Sequence, residues 1–306
     1  MITKVFKYLF HPIKFIRIIR IRKLEKNGKK YSDEDYIKKQ FFLKKGRKLR
    51  LNNPKTFAEK LQWLKLNYHN PLCTTLSDKI SAKKYLSSII DVKYIPKLLG
   101  VWDTFEEIDF SILPEKFVIK TNHDCGGNVI CLNKKNFNFE DAKKKIKEHL
   151  NTNYFCHNRE WPYKNIKPKV FVEEYLDSDE PLVDYKFYCF DGKPIYFMYS
   201  VGEYSHKSLN HKFNISCESI DHLFKKKPSL PLNSIKIPQN FDEMLGIVNK
   251  ICSGFPHVRV DLYNINGNVY VGEMTFFTNG GYVNILDKKF DLYLGSLIPL
   301  KKYEED

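Results

Sequence analysis

Apolar residues recur at helical spacing in four stretches of the chain beyond residue 50. In the stretch PKTFAEKLQWLKLN, Phe57, Leu61 and Leu64 fall on one face, and Thr56 with Glu59 has the spacing of a capping box. The stretch FEDAKKKIKEHL shows a similar helical pattern. The predicted helices cover residues 54–67, 77–90, 139–150 and 241–255.

Runs of β-branched and aromatic residues bounded by glycine turns predict the strands. FVIKT (117–121) leads into the polar loop NHDCGGN, and VICL follows, which gives the order strand, glycine loop, strand. Residues 184–201 and 259–281 each indicate a hairpin, the first turning at Asp-Gly and the second at Asn-Gly. A further strand, 169–176, ends in two acids. These elements predict an α+β fold in which two hairpin-rich units follow a helical region.

The net charge of +15 is concentrated at one end of the chain. Residues 1–50 hold 17 of the 51 Lys and Arg residues but only 4 of the 36 Asp and Glu residues. The remaining chain is nearly neutral, which argues against a nucleic-acid-binding protein, because such proteins carry a basic stripe on the folded domain. With 306 residues, 42% of them hydrophobic, the chain can bury the core of two or three lobes.

The N-terminal residues alternate between apolar and basic side chains at roughly helical spacing. The apolar positions are Val5, Phe6, Leu9, Phe10, Phe15, Ile16 and Ile19, and Pro12 is expected to kink or restart the helix. Such a helix can lie on an anionic lipid surface, or it can pack on its own protein with a solvated basic face, and both alternatives stay open. No apolar run is long enough to span a bilayer, and the charges interrupt any signal-peptide core.

Seven cysteines are scattered along the chain without a CxxC pair. This usage predicts a reducing, cytoplasmic location, which includes the inner face of the cytoplasmic membrane, and argues against disulfides and a zinc site. Cys125, the only cysteine near a motif, is expected to be a small buried thiol.

Lysines, glycines and carboxylates follow one another in a definite order along the chain. The order runs through Lys79, Lys120, Gly126, Gly127, Glu173, Glu174, Asp184, Lys186, Arg259, Asp261 and Glu273. The chain also contains NPKTFAEKLQWLKL, LSDKISAKKYL, YIPKLLGVWD, LPEKFVIKTNHDCGGN, DYKFYCFDGKP and VRVDLYNINGNVYVGEMTF. Together these features resemble the ATP-grasp superfamily, and most closely its TupA-like branch, over about residues 50 to 285.

The resemblance implies an ATP-grasp fold, in which two α+β subdomains grip ATP. The expected organisation is a basic N-terminal segment (1–50), a helical or α/β lobe (51–115) and the ATP-grasp domain, whose first subdomain (116–176) holds the glycine loop and whose second (177–300) holds the metal site.

The resemblance implies ATP and Mg²⁺ as cofactors, and Mg²⁺ needs hard oxygen ligands. Asp261 and Glu273 are the expected ligands. Many superfamily members have Asn two residues after this Glu, whereas this chain has Thr275, so Thr275 or Asn279 is the third candidate. Arg259 would steady the transferring phosphoryl group or the acyl phosphate.

The nucleotide contacts implied by the resemblance come from both expected subdomains. Lys120 and Lys79 would reach the phosphates, and Gly126 with Gly127 would let the loop close over them with backbone N–H donors. The expected contacts around adenine, the ribose and the nucleotide's polar side are Glu173, Glu174, Val172 or Tyr175, Glu180, Asp184 and Lys186.

Three classes of function are consistent with the sequence. The first is an ATP-dependent carboxylate–amine ligase that acts in cell-surface polysaccharide assembly, with a hexuronic acid and an amino acid as candidate substrates. The second is a glycosyltransferase, supported by DSD at 177–179, which has the DxD pattern of nucleotide-sugar enzymes. The third is a non-catalytic membrane or nucleic-acid binder.

The residues that would choose the substrate are expected between about 200 and 240. Four basic side chains there can face an anionic sugar acid or belong to a solvated loop, and the solvated loop is slightly favoured. They are His206, Lys207, His211 and Lys212.

Overall fold

The computed structural model describes residues 12–178, 180–202, 209–224 and 231–303. The α-helices are α1 (Pro12–Lys26), α2 (Asp33–Lys45), α3 (Phe57–Asn67), α4 (Pro71–Ser77), α5 (Lys79–Leu86), α6 (Phe139–Leu150), α7 (Phe155–Asn158), α8 (Phe241–Ile251) and α9 (Lys288–Ser296). The strands are β1 (Leu98–Trp102), β2 (Phe117–Thr121), β3 (Asn128–Cys131), β4 (Val170–Glu174), β5 (Val183–Phe190), β6 (Lys193–Val201), β7 (Leu209–Asn214), β8 (His257–Ile265) and β9 (Asn268–Thr275).

The strands form two antiparallel sheets. The four-stranded sheet has the order β1-β4-β2-β3, and the five-stranded sheet has the order β7-β6-β5-β8-β9. Both predicted hairpins are confirmed, and their turns hold Asp191-Gly192 and Asn266-Gly267 at positive φ. Two consecutive positive φ values are what a type I′ turn requires, and this turn matches the twist of the strands it joins.

Each sheet has its own hydrophobic core. The larger core joins the five-stranded sheet to side chains of α3, α4, α5, α8 and α9. The smaller one joins the four-stranded sheet to α6, through Ala142 and Ile146. The capping box of α3 is present, since Thr56 accepts from the backbone of Glu59 and the Glu59 carboxylate accepts from the backbone of Thr56.

The N-terminal helices differ sharply in burial. On α2, Tyr36, Ile37 and Phe41 are fully buried, and the Tyr36 hydroxyl donates to the carbonyl of His157 at 3.0 Å. On α1, which begins at Pro12, Leu24 is buried, whereas Phe15, Ile16 and Ile19 are 43–48% exposed. The apolar positions expected before Pro12 lie outside the described residues. Within the described residues, no helix has the length and apolar character needed to cross a membrane.

Candidate active site

The register of the five-stranded sheet puts two rows of polar side chains on one face. Lys186 pairs with Asp261, and Asp261 pairs with Glu273, so these three side chains stand side by side across β5, β8 and β9. The next row across the same strands contains Tyr188, Arg259 and Thr275. Residues opposite one another in an antiparallel pair share a face. The structure therefore brings Arg259, Asp261 and Glu273 together on one face of this sheet.

Arg259 is the centre of the cluster. Its Nε and Nη2 donate to the two oxygens of Asp261 at 2.6 and 2.7 Å, and Nη2 also donates to Glu273 Oε1 at 3.0 Å. Lys186 Nζ donates to Asp261 Oδ2 at 2.8 Å. Thr275 Oγ1 donates to Glu273 Oε1 at 3.4 Å. Asp261 is thus held by a bidentate guanidinium fork, the geometry that fixes a carboxylate most firmly, and Glu273 by one hydrogen bond from the same guanidinium.

The charges in the cluster shift one another's pKa values. Burial alone would raise the pKa of Asp261, but Arg259 and Lys186 outweigh burial and hold this pKa below its usual range. Burial alone would lower the pKa of Arg259, yet Asp261 and other neighbours raise it well above its usual value. Asp261 is therefore an anion and Arg259 a cation at neutral pH.

A β-bulge at Gly272 places Glu273 in the cluster. On the turn side Leu262 pairs with Val271, whereas on the other side Asp261 pairs with Glu273, so Gly272 has no partner. The extra residue lets Val271 stay in the core while Glu273 faces the same side as Asp261. A Cβ at Gly272 would lie 2.9 Å from the Tyr263 ring and 3.2 Å from the carbonyl of Asp261, so the bulge needs a glycine.

The glycine loop joins β2 to β3 and has a rigid base. Gly127 O accepts from Thr121 N at 2.8 Å, and the Thr121 hydroxyl donates to Asp124, whose other oxygen contacts His149 of α6. A Cβ at Gly127 would overlap the Thr121 hydroxyl, and Gly126 has a φ of 94°. Gly126 is therefore required by its backbone conformation, and Gly127 by the closeness of the Thr121 side chain.

Lys79, the first residue of α5, connects this loop to the helical region. Its Nζ donates to the carbonyls of Thr121, at 3.3 Å, and Asp124, and its backbone N–H donates to Asn122 O at 3.1 Å. Asp78, the N-cap of α5, accepts from the Asn122 side chain at 3.0 Å. The lysine expected to reach the phosphates is thus placed at the root of the loop.

Lys120 projects from the strand that precedes the loop and forms an ion pair with Glu173 of β4. Glu173 also pairs with Lys83 of α5 at 2.9 Å. Although burial would raise the pKa of Glu173, Lys120 and Lys83 outweigh it and hold this pKa below its usual range. Lys83 was not predicted from the sequence, although its position one helical turn after Lys79 puts both on the same side of α5.

A cleft of about 1020 Å³ lies between the glycine loop and the row of Lys186, Asp261 and Glu273 on the five-stranded sheet. Arg259 and Thr275, in the next row, do not line it. The predicted site residues that line it are Lys79, Lys120, Gly126, Gly127, Asp184, Lys186, Asp261 and Glu273. Apolar residues on the loop side line it too, and of these Ile130 is 41% and Leu132 57% exposed. Sequence reasoning missed this apolar wall, although VICL directly follows the loop.

Other predicted nucleotide contacts do not line this cleft. Glu174 faces away from Glu173 and accepts from the backbone of Lys97 at 2.7 Å. The Tyr175 ring lies under Lys116, with Nζ 5.9 Å from its centroid, and Glu180 is exposed. These three assignments stay predictions. Of the DSD pattern, Asp177 is 64% exposed and pairs with Lys116, and Asp179 lies outside the described residues.

Two expectations from the sequence are wrong. Cys125 is exposed and lines the cleft, because it stands at the tip of the loop while its neighbours on the β2 side are buried. The idea of a solvated loop at His211 and Lys212 also fails, since both belong to β7. His211 is buried and contacts Asp221. His206 and Lys207 lie outside the described residues.

The donor set fits Mg²⁺. Asp261 and Glu273 offer carboxylate oxygens to one face, and no group of three His, Cys, Asp or Glu residues suited to a metal occurs in the described part of the chain. Mg²⁺ is commonly held by one or two carboxylates together with phosphate oxygens and water, and the two carboxylates lining the cleft match this pattern. Thr275 lies beside Glu273, and Asn279 belongs to the turn that follows β9.

Thr278 is a contact that the sequence analysis did not single out. It is fully buried, and its Oγ1 accepts from Arg259 Nη1 at 3.2 Å. The only sequence signal is the TNGG string, which Phe276 and Phe277 separate from the strand that carries Glu273.

Two antiparallel sheets facing one cleft, with a glycine loop at its rim, define the ATP-grasp class of fold. The family model of TupA-like ATP-grasp proteins matches residues 59–299, and the chain belongs to this family. No curated protein sequence matches the chain.

Solved structures of ATP-grasp enzymes resemble the chain in part. D-alanine–D-alanine ligase from Helicobacter pylori aligns at 12% identity over 81% of this chain and 70% of that chain, with a TM-score of 0.45. The ATP complex of the Bacillus anthracis enzyme aligns at 16% identity, with a TM-score of 0.37, over 71% of this chain. The chain spans only 57% of the length of that enzyme, and the likeness is one of partial fold.

Proposed function

We propose that this protein is a carboxylate–amine ligase that activates its carboxylate substrate as an acyl phosphate. The observation that carries this proposal is the bidentate Arg259–Asp261 pair, with Glu273 and Lys186 beside it, on the sheet that faces the glycine loop. Transfer of a phosphoryl group to a carboxylate brings anions together, so a site with fixed cations and preorganised donors lowers the barrier.

Each side chain has a distinct task in this proposal. Lys79 and Lys120, on the loop side, bind the phosphate chain, and Asp261 with Glu273 would hold Mg²⁺. Bound ATP and Mg²⁺ supply the phosphoryl group and a charge that offsets its oxygens. Arg259, whose fork is held by Asp261, Glu273 and Thr278, would supply positive charge that steadies the transferring phosphoryl group or the acyl phosphate.

The acceptor is proposed to be a cell-surface polysaccharide precursor, with a hexuronic acid and an amino acid as the substrates to try first. This part of the proposal rests on the TupA-like family alone.

The first test is a thermal-shift titration with Mg²⁺ and ADP against Mg²⁺ and a panel of UDP- and CMP-sugars. Ligands that bind only the folded state raise the melting temperature by mass action. We expect a magnesium-dependent shift with ADP that is lost in Asp261→Asn and kept in Asp242→Asn, an exposed aspartate on α8. A shift with nucleotide sugars and none with ADP would refute the ligase and favour the glycosyltransferase.

We also propose that α1 attaches the protein to anionic lipid at the inner face of the cytoplasmic membrane. The support is the exposure of Phe15, Ile16 and Ile19 on a helix rich in Lys and Arg, in which Glu25 is the single acid.

Co-sedimentation with vesicles of phosphatidylcholine and phosphatidylglycerol tests this attachment. Serine at the three apolar positions is expected to abolish binding, and Phe42→Ser, on the exposed face of α2, is expected to leave it intact. Equal binding to pure phosphatidylcholine would contradict an electrostatic contribution.

A further inference from the structure

The turn that follows β9 has an uncommon backbone conformation. Asn279, Gly280 and Gly281 have φ values of 51°, 62° and 78°, which is three left-handed residues in succession. Glycine adopts this region readily, whereas Asn279 does so at a cost, which contacts from the surroundings must offset.

Helix α3 provides that restraint. Lys65 Nζ donates to Gly280 O at 2.6 Å, to Asn158 O at 2.8 Å and to Gln62 Oε1 at 3.0 Å. Gln62 Nε2 donates to Gly281 O at 2.9 Å. Both side chains are almost completely buried, and a Cβ at Gly281 would overlap the Gln62 amide. The carbonyls of Gly280 and Gly281 therefore accept hydrogen bonds from Lys65 and Gln62, which lie about one helical turn apart on α3.

The ammonium group of Lys65 is fully satisfied within the protein. Three acceptors take its three protons, and its Nζ lies 5.1 Å from the centroid of Tyr282 and 5.8 Å from that of Phe277. Burial lowers the pKa of Lys65 to about 7. A neutral residue such as methionine would avoid the cost of burying a charge, but it would leave these carbonyls without donors.

The other end of the same turn touches the reaction centre. Thr278 precedes Asn279, and its buried hydroxyl accepts from Arg259 at 3.2 Å. A shift of the turn would therefore move Thr278 Oγ1, which accepts the hydrogen bond from Arg259 Nη1.

We propose that Lys65 is a positioning residue for phosphoryl transfer, because by holding Gly280 it fixes the turn that sets Arg259 through Thr278. The inference rests on the role proposed above for Arg259. It gives a helix outside both sheets a part in the site, although Lys65 does not line the cleft.

Calorimetric titration of ADP with Mg²⁺, with and without aluminium fluoride, tests the proposal, since the fluoride complex imitates a phosphoryl group in transfer. In wild type we expect fluoride to tighten ADP binding. Lys65→Met is expected to bind ADP with an affinity within about twofold of that of wild type. The factor by which fluoride tightens ADP binding is expected to be about ten- to a hundredfold smaller than in wild type, which is on the order of the effect of a small misplacement of a catalytic group. Lys65→Arg is expected to restore most of it.

Lys60→Met is the matched control, because Lys60 is on the same helix but donates to Ile298 O at 2.9 Å, away from the turn. Full tightening in Lys65→Met, or an equal loss of ADP binding with and without fluoride, overturns the positioning role. Absence of ADP binding or of tightening in wild type overturns the proposed function itself. If Lys65→Met does not fold, Gln62→Leu is measured, and the same selective loss is expected.

Discussion

At the scale of single residues, Glu173 is a buried carboxylate that two lysines share. It joins Lys120 on β2 to Lys83 on α5, so one charge fastens the glycine-loop strand to the helical region. Removing one partner from a buried ionic group is costly because the others keep their charge without compensation.

Glu173→Gln is expected to lower the free energy of unfolding by about 3–5 kcal/mol, because it leaves two half-buried ammonium groups beside each other. Glu174→Gln is the control, since Glu174 is next in sequence and faces the other side of β4. Urea denaturation of both variants checks the difference. Equal midpoints would show that solvent compensates the two lysines.

His257 has a pKa lowered to about 3 by burial among aromatic rings, and its Nε2 has no partner within the described structure. Below a pH of about 6.5 the unfolded chain binds a proton that the folded chain binds only near pH 3. The free energy of unfolding therefore falls as the pH decreases through this window, by up to ~1.4 kcal/mol per pH unit from this group. In His257→Leu we expect a shallower slope between pH 6.5 and 4 in denaturation curves. An unchanged slope would contradict a neutral buried imidazole.

At the scale of elements, the sequence predicted the features that depend on residues close to one another along the chain. Helix 139–150 and both hairpin turns were predicted correctly, because their caps and positive-φ pairs lie within a few residues of one another. The burial of α2 and the Lys83–Glu173 pair depend on residues far apart in sequence, and the pattern of single elements holds no information on them.

The two glycines of the loop are expected to differ when replaced by alanine. Gly127→Ala overlaps the Thr121 hydroxyl and displaces the loop, so ADP affinity is expected to fall at least about tenfold with little change in the sheet. Gly126→Ala has room, but its φ of 94° is expected to cost about 1–2 kcal/mol of stability.

Gly246→Ala, inside α8 with open space around it, is the control and is expected to stabilise by about 0.5–1 kcal/mol. Calorimetry and denaturation separate these effects, and equal ADP affinities for the two loop variants would argue against a rigid base.

At the scale of the molecule, α2 belongs to the folded body even though it precedes the family match. The Tyr282 hydroxyl donates to Gln40 of α2 at 2.8 Å, and Phe41 packs with Ala58 and Tyr282. The helix thus contacts both α3 and the segment after the left-handed turn.

Adjacent phenylalanines on α2 give a direct measure of this packing. Phe41→Ala is expected to cost about 3–5 kcal/mol, because its ring is completely buried. Phe42→Ala, 53% exposed, is expected to stay within about 0.5 kcal/mol of wild type. Thermal unfolding of Phe41→Ala should remain one transition at a lower temperature. A separate early transition would mean that α2 unfolds independently.

The bulge at Gly272 also fixes the number of residues between Asp261 and Glu273 in the sequence. In a hairpin closed by two residues and paired without interruption, partners are an odd number of positions apart, yet Asp261 and Glu273 are twelve apart. Because Gly272 is one extra residue in β9, every position of β9 after it is shifted by one relative to β8. A one-residue insertion or deletion in β9 on the turn side of Glu273 would therefore turn the Glu273 carboxylate to the core face of the sheet. An even spacing between these two acids is thus a signature of the bulge that can be counted directly along the chain.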